Sequence, residues 1–305
     1  MIPALPNYSV KGRTDAPFFA AVKLSAIHNI LSISFYKYLY VEFFIVFLFI
    51  SCIDFKPKRI YNMPDAFLRG EMYFMKIGGL QKLSMVDYPG KMCATVFLRG
   101  CNLRCPFCHN ASLVLIDRRN EELSEDDVLA YLKKRKGMLD CVCITGGEPL
   151  LHSDTAAFMR RIREIGYQIK LDTNGTFPDR LKAIIDEGLC DYVAMDIKNC
   201  PEKYAFTCGL AEIFDTKCIN ESINILKNAS VPYEFRTTVV KGLHTPEDIL
   251  KIGEYLNGAP RYFLQQYRDS GDILGGTFEA FADSELQNMA DSVKEFFGEV
   301  SVRGI

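Results

Sequence analysis

The sequence predicts an α/β fold in which parallel strands alternate with helices, closing part way into a (β/α)6 barrel or opening as a wound sheet. Three observations support it. Short, β-rich apolar runs fall at 93–98, 141–145, 168–172, 192–197, 233–240 and 262–266, separated by amphipathic stretches and turn residues. The intervening stretches are long enough for helices, so successive strands are parallel and joined by right-handed crossovers. No internal repeat, low-complexity tract or linker interrupts the series. In either closure the loops converge at the C-terminal ends of the strands, where functional residues are expected.

Taken in order, residues 1–74 read differently from the rest. The run 31–53 is nearly apolar but contains Lys37 and Glu42. Its uncharged part, 43–53, is only about a third to a half of a bilayer span. A signal peptide fits no better, because Lys11 and Arg13 lie far upstream and no small-residue cleavage site follows. The expectation is an extension ahead of a true start at Met63, Met72 or Met75, with residues 75–305 forming the functional domain.

Helices are expected at 124–136, 154–165, 178–187, 213–228 and 246–256. The first opens on Ser124 followed by Glu125, Asp126 and Asp127, a cap and acids suited to the positive end of the helix dipole. Pro178 and Pro246 occupy first turns, where a missing N–H costs nothing.

Composition narrows the class. Hydrophobic residues make up 49% of the 305, ample for a buried core. A net charge of -2 gives no broad attraction to nucleic acid or anionic membranes. The 11 cysteines are odd in number and irregular in spacing, which points to a reducing compartment and a cytoplasmic location.

One place is regular. Directly after the first of these strands, Cys101, Cys105 and Cys108 are separated by three and then two residues in a loop containing Gly100 and Pro106. Thiolates are soft ligands that suit iron–sulfur clusters, zinc or copper(I). Three cysteines on a four-iron cubane leave one iron open to a chelating substrate. A zinc site using His109 is the rival, although adjacent ligands such as Cys108 and His109 rarely aim at one tetrahedral ion.

Later strand ends add polar residues. Gly146 and Gly147 leave their backbone open to close approach, and Glu148 can accept a hydrogen bond from an amine, although the run alone is a common turn. Asp172 and Asn174 can cap a turn, but Asp172, Asp196 and Lys198 on one rim exceed what capping needs. Arg236 is a charge in an otherwise apolar strand, pointing either into a polar interior or to solvent. Cys93, Cys141, Cys143 and Cys190 read as core; Cys200, Cys208 and Cys218, with seven and nine residues between them, do not match a compact cluster loop. His152 and His244 lie in loops after strands and read as surface or capping residues.

These motifs carry a resemblance. CxxxCxxC with an aromatic before the last cysteine, here Cys101, Cys105, Phe107 and Cys108, resembles the signature of the radical S-adenosylmethionine (SAM) superfamily. The resemblance implies a partial TIM-like barrel, a 4Fe-4S cluster on the three cysteines and S-adenosyl-L-methionine on the open iron, split reductively to a 5'-deoxyadenosyl radical. It also implies that Phe107 neighbours the adenine and that Gly146, Gly147 and Glu148, matching a GGEP motif, meet the methionine amine. Asp172-Thr173-Asn174-Gly175 and Met195-Asp196-Ile197-Lys198 resemble the DTNG and MDIK stretches of glycyl-radical activating enzymes. There they imply a monovalent cation at Asp172, Thr173 and Asp196, with cofactor contacts from Lys198 and from Arg236 on the fifth strand. The runs 78–90 and 97–110 resemble the activating proteins of anaerobic ribonucleotide reductase, as do Gln265 and Gln266 where pyruvate formate-lyase activating enzymes tend to have a histidine. A glycyl-radical enzyme as partner and a low-potential donor such as flavodoxin or ferredoxin follow from that resemblance. An enzyme acting on a small molecule or on pyruvate formate-lyase is the alternative.

Overall fold

The computed structural model describes residues 74–115, 123–210 and 214–305. The run 31–53, together with Met63 and Met72, lies outside the described residues. Among the described residues, no helix is long and apolar enough to cross a membrane.

Eight strands form one sheet: β1 (Ile77–Ser84), β2 (Cys93–Leu98), β3 (Cys141–Gly146), β4 (Gln168–Thr173), β5 (Tyr192–Asp196), β6 (Tyr233–Val239), β7 (Arg261–Gln266) and β8 (Glu299–Arg303). Strands β2 to β8 are parallel, and β1 runs antiparallel along β2. The main helices are α1 (Glu125–Lys134), α2 (Thr155–Ile165), α3 (Pro178–Asp186), α4 (Lys217–Asn228), α5 (Pro246–Leu256) and α6 (Asp283–Ser292), one after each of β2 to β7. The strands lie in the sheet in chain order with no reversal. That order decides between the two closures, since a doubly wound sheet reverses at a switch point whereas a barrel does not. Six βα units therefore make a partial barrel whose open sides are β1 and β8.

The six expected strands are present, and the expected helices agree to within a few residues; 211–213, at the start of the expected 213–228 helix, lie outside the described residues. Ser124 caps α1 by accepting from Asp127 N, and Thr245 and Asp248 cap α5 reciprocally. The sequence reading missed β1, β8 and α6. Strand β1 begins Ile-Gly-Gly and exposes its centre, and β8 is five residues long and only half-buried, so neither carries the apolar run that marks an inner strand.

Alternate residues of each strand face opposite ways. Val96, Val142, Ile144, Ile169, Leu171, Val193, Phe235 and Leu264 pack under the helices in the main core. On the inner side, Tyr88, Cys93, Cys141, Cys143 and Tyr192 form a separate apolar plug at the bottom of the barrel. Above the plug the interior turns polar, with Lys170, Asp172, Glu234 and Arg236 on neighbouring inward positions. Glu234 is wholly buried and accepts two bonds from Arg303 of β8, at 2.6 and 2.9 Å, and one from Tyr192. This pair secures the last strand to the barrel.

Candidate active site at the barrel rim

The cysteine loop leaves β2 and is held on several sides. Arg99 N donates to Lys76 O at 2.8 Å, Gly100 N to Leu113 O at 2.7 Å, and Arg104 N to Cys208 O at 2.9 Å. From the far end of the barrel, Gly275 N donates to Pro106 O and Leu274 N to Cys108 O. Cys105 is buried and Cys101 and Cys108 are half-buried. Burial pushes the Cys101 thiol up to about 12, and the Cys108 thiol also upward. Cys101 and Cys108, pushed up in this way, ionise only with a compensating cation, which the iron of a cluster would supply.

Among the described residues, no three His, Cys, Asp or Glu side chains converge on a single-ion site. A cubane binds each thiolate at a different iron, so three sulfurs distributed along one loop fit it.

The Gly146-Gly147-Glu148 turn closes against this loop. A Cβ at Gly146, whose φ is +116°, would lie 2.4 Å from Leu98 O, and one at Gly147 would lie 2.0 Å from Gly100 O. The two glycines thus allow backbone to meet backbone: Gly147 N donates to Leu98 O and Glu148 N to Gly100 O, each at 2.8 Å. Glu148 is wholly buried, and its carboxylate accepts from Leu150 N, Thr173 Oγ1 and Asn174 N at 2.9, 2.8 and 2.7 Å. Burial nevertheless pushes its pKa up to about 7. Asn174 continues the connection by donating to Asn102 Oδ1 at 3.0 Å, so the end of β4 is bonded to the cysteine loop.

Beside it runs a chain of alternating charges. Lys170 Nζ lies 2.5 Å from Asp172 Oδ1; Arg236 reaches Asp172 at 3.1 Å and Asp196 at 2.5 Å; Lys198 lies 3.0 Å from the other Asp196 oxygen. Burial disfavours all these charges, but the neighbouring cations outweigh it at Asp172 and Asp196, whose pKa values lie below the usual carboxylate range. Burial likewise opposes the charge on Lys170, Lys198 and Arg236, and the carboxylates outweigh it there, so all three are held above their ordinary values. Lys170, only 2% exposed, was not among the expected site residues. Its signal was a lysine alternating with apolar residues in Gln168–Thr173.

Phe107 is buried edge-on to His244, 6.4 Å between centroids. Neither His244 nor His152 is a surface residue. His244 Nδ1 accepts from Val240 N, leaving Nε2 to donate to Lys198 O at 2.8 Å, and His152 Nε2 lies 2.7 Å from Arg99 O. Both tie carbonyl groups just past strand ends. Of the late cysteines, Cys200 lies by Asp248, Cys218 by Asp215 O, and Cys208 against the cysteine loop.

A Radical SAM superfamily model matches residues 95–256, a span that runs from β2 to the end of α5. The chain belongs to the radical SAM superfamily. A Methanocaldococcus jannaschii protein named for glycyl-radical enzyme activation is 32% identical over 237 residues, covering 75% of this chain and 96% of its own. The pyruvate formate-lyase-activating enzyme of Streptococcus mutans is 28% identical over 219 residues, covering 66% and 81%. Among solved structures, Streptococcus suis SuiB bound to precursor peptide SuiA aligns with a TM-score of 0.53 at 15% identity, over 67% of this chain and 47% of that one, a likeness of fold.

This radical SAM chain is accordingly an enzyme of oxidoreductase type, and its superfamily implies a 4Fe-4S cluster and S-adenosyl-L-methionine. The monovalent cation fits less well. Arg236 already bridges Asp172 and Asp196, and Thr173 is turned to Glu148, so the oxygens that would hold a cation are engaged with groups of the chain itself.

Proposed function

We propose that this enzyme is an activase that removes a backbone hydrogen atom from a glycine of a partner enzyme, and that the partner is anaerobic ribonucleotide reductase. The observation that carries the activase reading is the match to a glycyl-radical activating relative over 96% of its length, with the cysteine loop inside the matched region. The runs 78–90 and 97–110, with Gln265 and Gln266 on β7, support the reductase as partner.

In this reading Cys101, Cys105 and Cys108 hold the cluster, which with S-adenosylmethionine bound supplies one-electron cleavage of the sulfonium. The residues of the chain place and polarise. Lys170, Lys198 and Arg236 against Asp172 and Asp196 leave one positive charge on the rim, suited to a carboxylate and not to a further cation. Buried Glu148 anchors the Gly146-Gly147 turn through Leu150, Thr173 and Asn174, the two glycines hold that turn against the loop, and the turn so fixed meets the arriving ammonium. Phe107 neighbours the adenine through its backbone. The electron comes from a low-potential flavodoxin or ferredoxin.

A second reading, pyruvate formate-lyase as partner, is favoured by the relative from Streptococcus mutans. Anaerobically reconstituted protein with reductant and S-adenosylmethionine is expected to release 5'-deoxyadenosine and to raise a glycyl-radical paramagnetic signal on the reductase. A signal only on pyruvate formate-lyase selects the second reading. No signal on either overturns the activase.

A further inference from the structure

Lys170 enters the rim network from below. It holds an inward position on β4, in register with Cys143 of β3 and Tyr192 of β5, both residues of the apolar plug. Only 2% exposed, its ammonium reaches up the strand to Asp172 Oδ1 at 2.5 Å, where water cannot share the charge. The other oxygens that the resemblance gives to a monovalent cation are engaged as well. Asp172 Oδ2 lies 3.1 Å from Arg236, and Asp196 accepts from Arg236 Nε at 2.5 Å and from Lys198 Nζ at 3.0 Å. Thr173 Oγ1 donates to Glu148 at 2.8 Å and accepts from Gly175 N at 3.1 Å.

Without Lys170 the two carboxylates would face Arg236 and Lys198 alone, and the network would be neutral. Asp172 Oδ1 would then be a buried anionic oxygen that has lost its partner, a place where a monovalent cation repays its desolvation. An ammonium matches a potassium ion in charge and nearly in size, and one tethered to the chain loses no translational freedom on binding. We propose that Lys170 is a positioning residue that takes the place of the monovalent cation, so that this enzyme binds S-adenosylmethionine without sodium or potassium. Its charge fixes Asp172, and through Asp172 the guanidinium of Arg236, and leaves the rim one positive charge for the arriving carboxylate. This rests on the reading of the rim as the S-adenosylmethionine site.

The test is the affinity of the anaerobically reconstituted enzyme for labelled S-adenosylmethionine, by equilibrium dialysis in choline, sodium or potassium chloride at equal ionic strength. Screening is then the same in all three salts, and wild-type affinities are expected to agree to within about twofold. Lys170→Ala removes the ammonium and leaves room in its place. It is expected to bind about tenfold more weakly in choline, the effect of one charge lost near the cofactor carboxylate, and to recover in potassium or sodium. A wild type whose affinity rises about tenfold from choline to potassium overturns the proposal. So does Lys170→Ala as tight as wild type in choline, or weakened equally in all three salts. Should alanine fail to fold by circular dichroism, Lys170→Gln, which keeps an N–H for Asp172 without the charge, takes its place under the same outcomes. Wild type with its iron and sulfide in place that binds S-adenosylmethionine in no salt would overturn the reading of the rim itself, a result distinct from these.

Discussion

Glu148 allows the electrostatics of the rim to be measured directly. Its carboxylate has no exposed surface, and burial pushes its pKa from an ordinary 4.5 up to about 7, against three hydrogen bonds that favour the ionised form. The folded-state value lies above the unfolded one, so the folded protein binds the proton more tightly. The stabilisation is complete below about pH 4.5 and is lost as the pH rises through about 7. At about 1.36 kcal/mol per pH unit, the gap between 4.5 and about 7 is worth about 3 kcal/mol, of which about 2.5 falls between about pH 5 and about pH 8. Glu148→Gln is neutral throughout. Its unfolding free energy minus that of wild type, from urea titrations read by circular dichroism, should therefore rise by about 2.5 kcal/mol over that range. The amide also turns an N–H toward a donor of the chain, but that penalty is the same at both pH values and cancels from the slope. A difference flat to within about 0.5 kcal/mol would refute the burial argument.

Three further outcomes are expected. Arg236→Met leaves Asp172 with Lys170 alone and Asp196 with Lys198 alone, and should lower the unfolding free energy by about 3–5 kcal/mol; a loss below about 1 kcal/mol in urea contradicts the shared network. Gly147→Ala forces a Cβ to within 2.0 Å of Gly100 O, and should cost about 1–3 kcal/mol and reduce iron uptake. Gly79→Ala, whose nearest atom lies at 3.8 Å, should change neither, and equal effects at both sites would show that the close approach is not the cause. Cys105→Ser is nearly isosteric, so thermal unfolding of the metal-free protein should stay close to wild type while iron and sulfide content falls; full iron retention would remove Cys105 from the cluster.

The amino-acid order alone determined much of this enzyme. Six short apolar runs, separated by stretches long enough for helices, dictate parallel strands and crossover helices, because a strand covered by a helix must be apolar on that face. The spacing of Cys101, Cys105 and Cys108 is local chemistry, legible wherever the loop ends up. The barrel in place of a wound sheet was decided only by strand order, a property of long-range pairing. Strands β1 and β8 were invisible because an edge strand needs an apolar pattern on one face alone, and theirs is short and broken by glycine and charge. Gly146 and Gly147 were legible as permissive, but what they admit is the Gly100 backbone, which no local reading can place. Lys170 and Arg236 looked like single charges in apolar strands. The pairing of β4 with β5 and of β5 with β6, which sets Asp196 opposite Arg236, makes one network of Lys170, Asp172, Arg236, Asp196 and Lys198, since buried charges persist only where each finds its opposite.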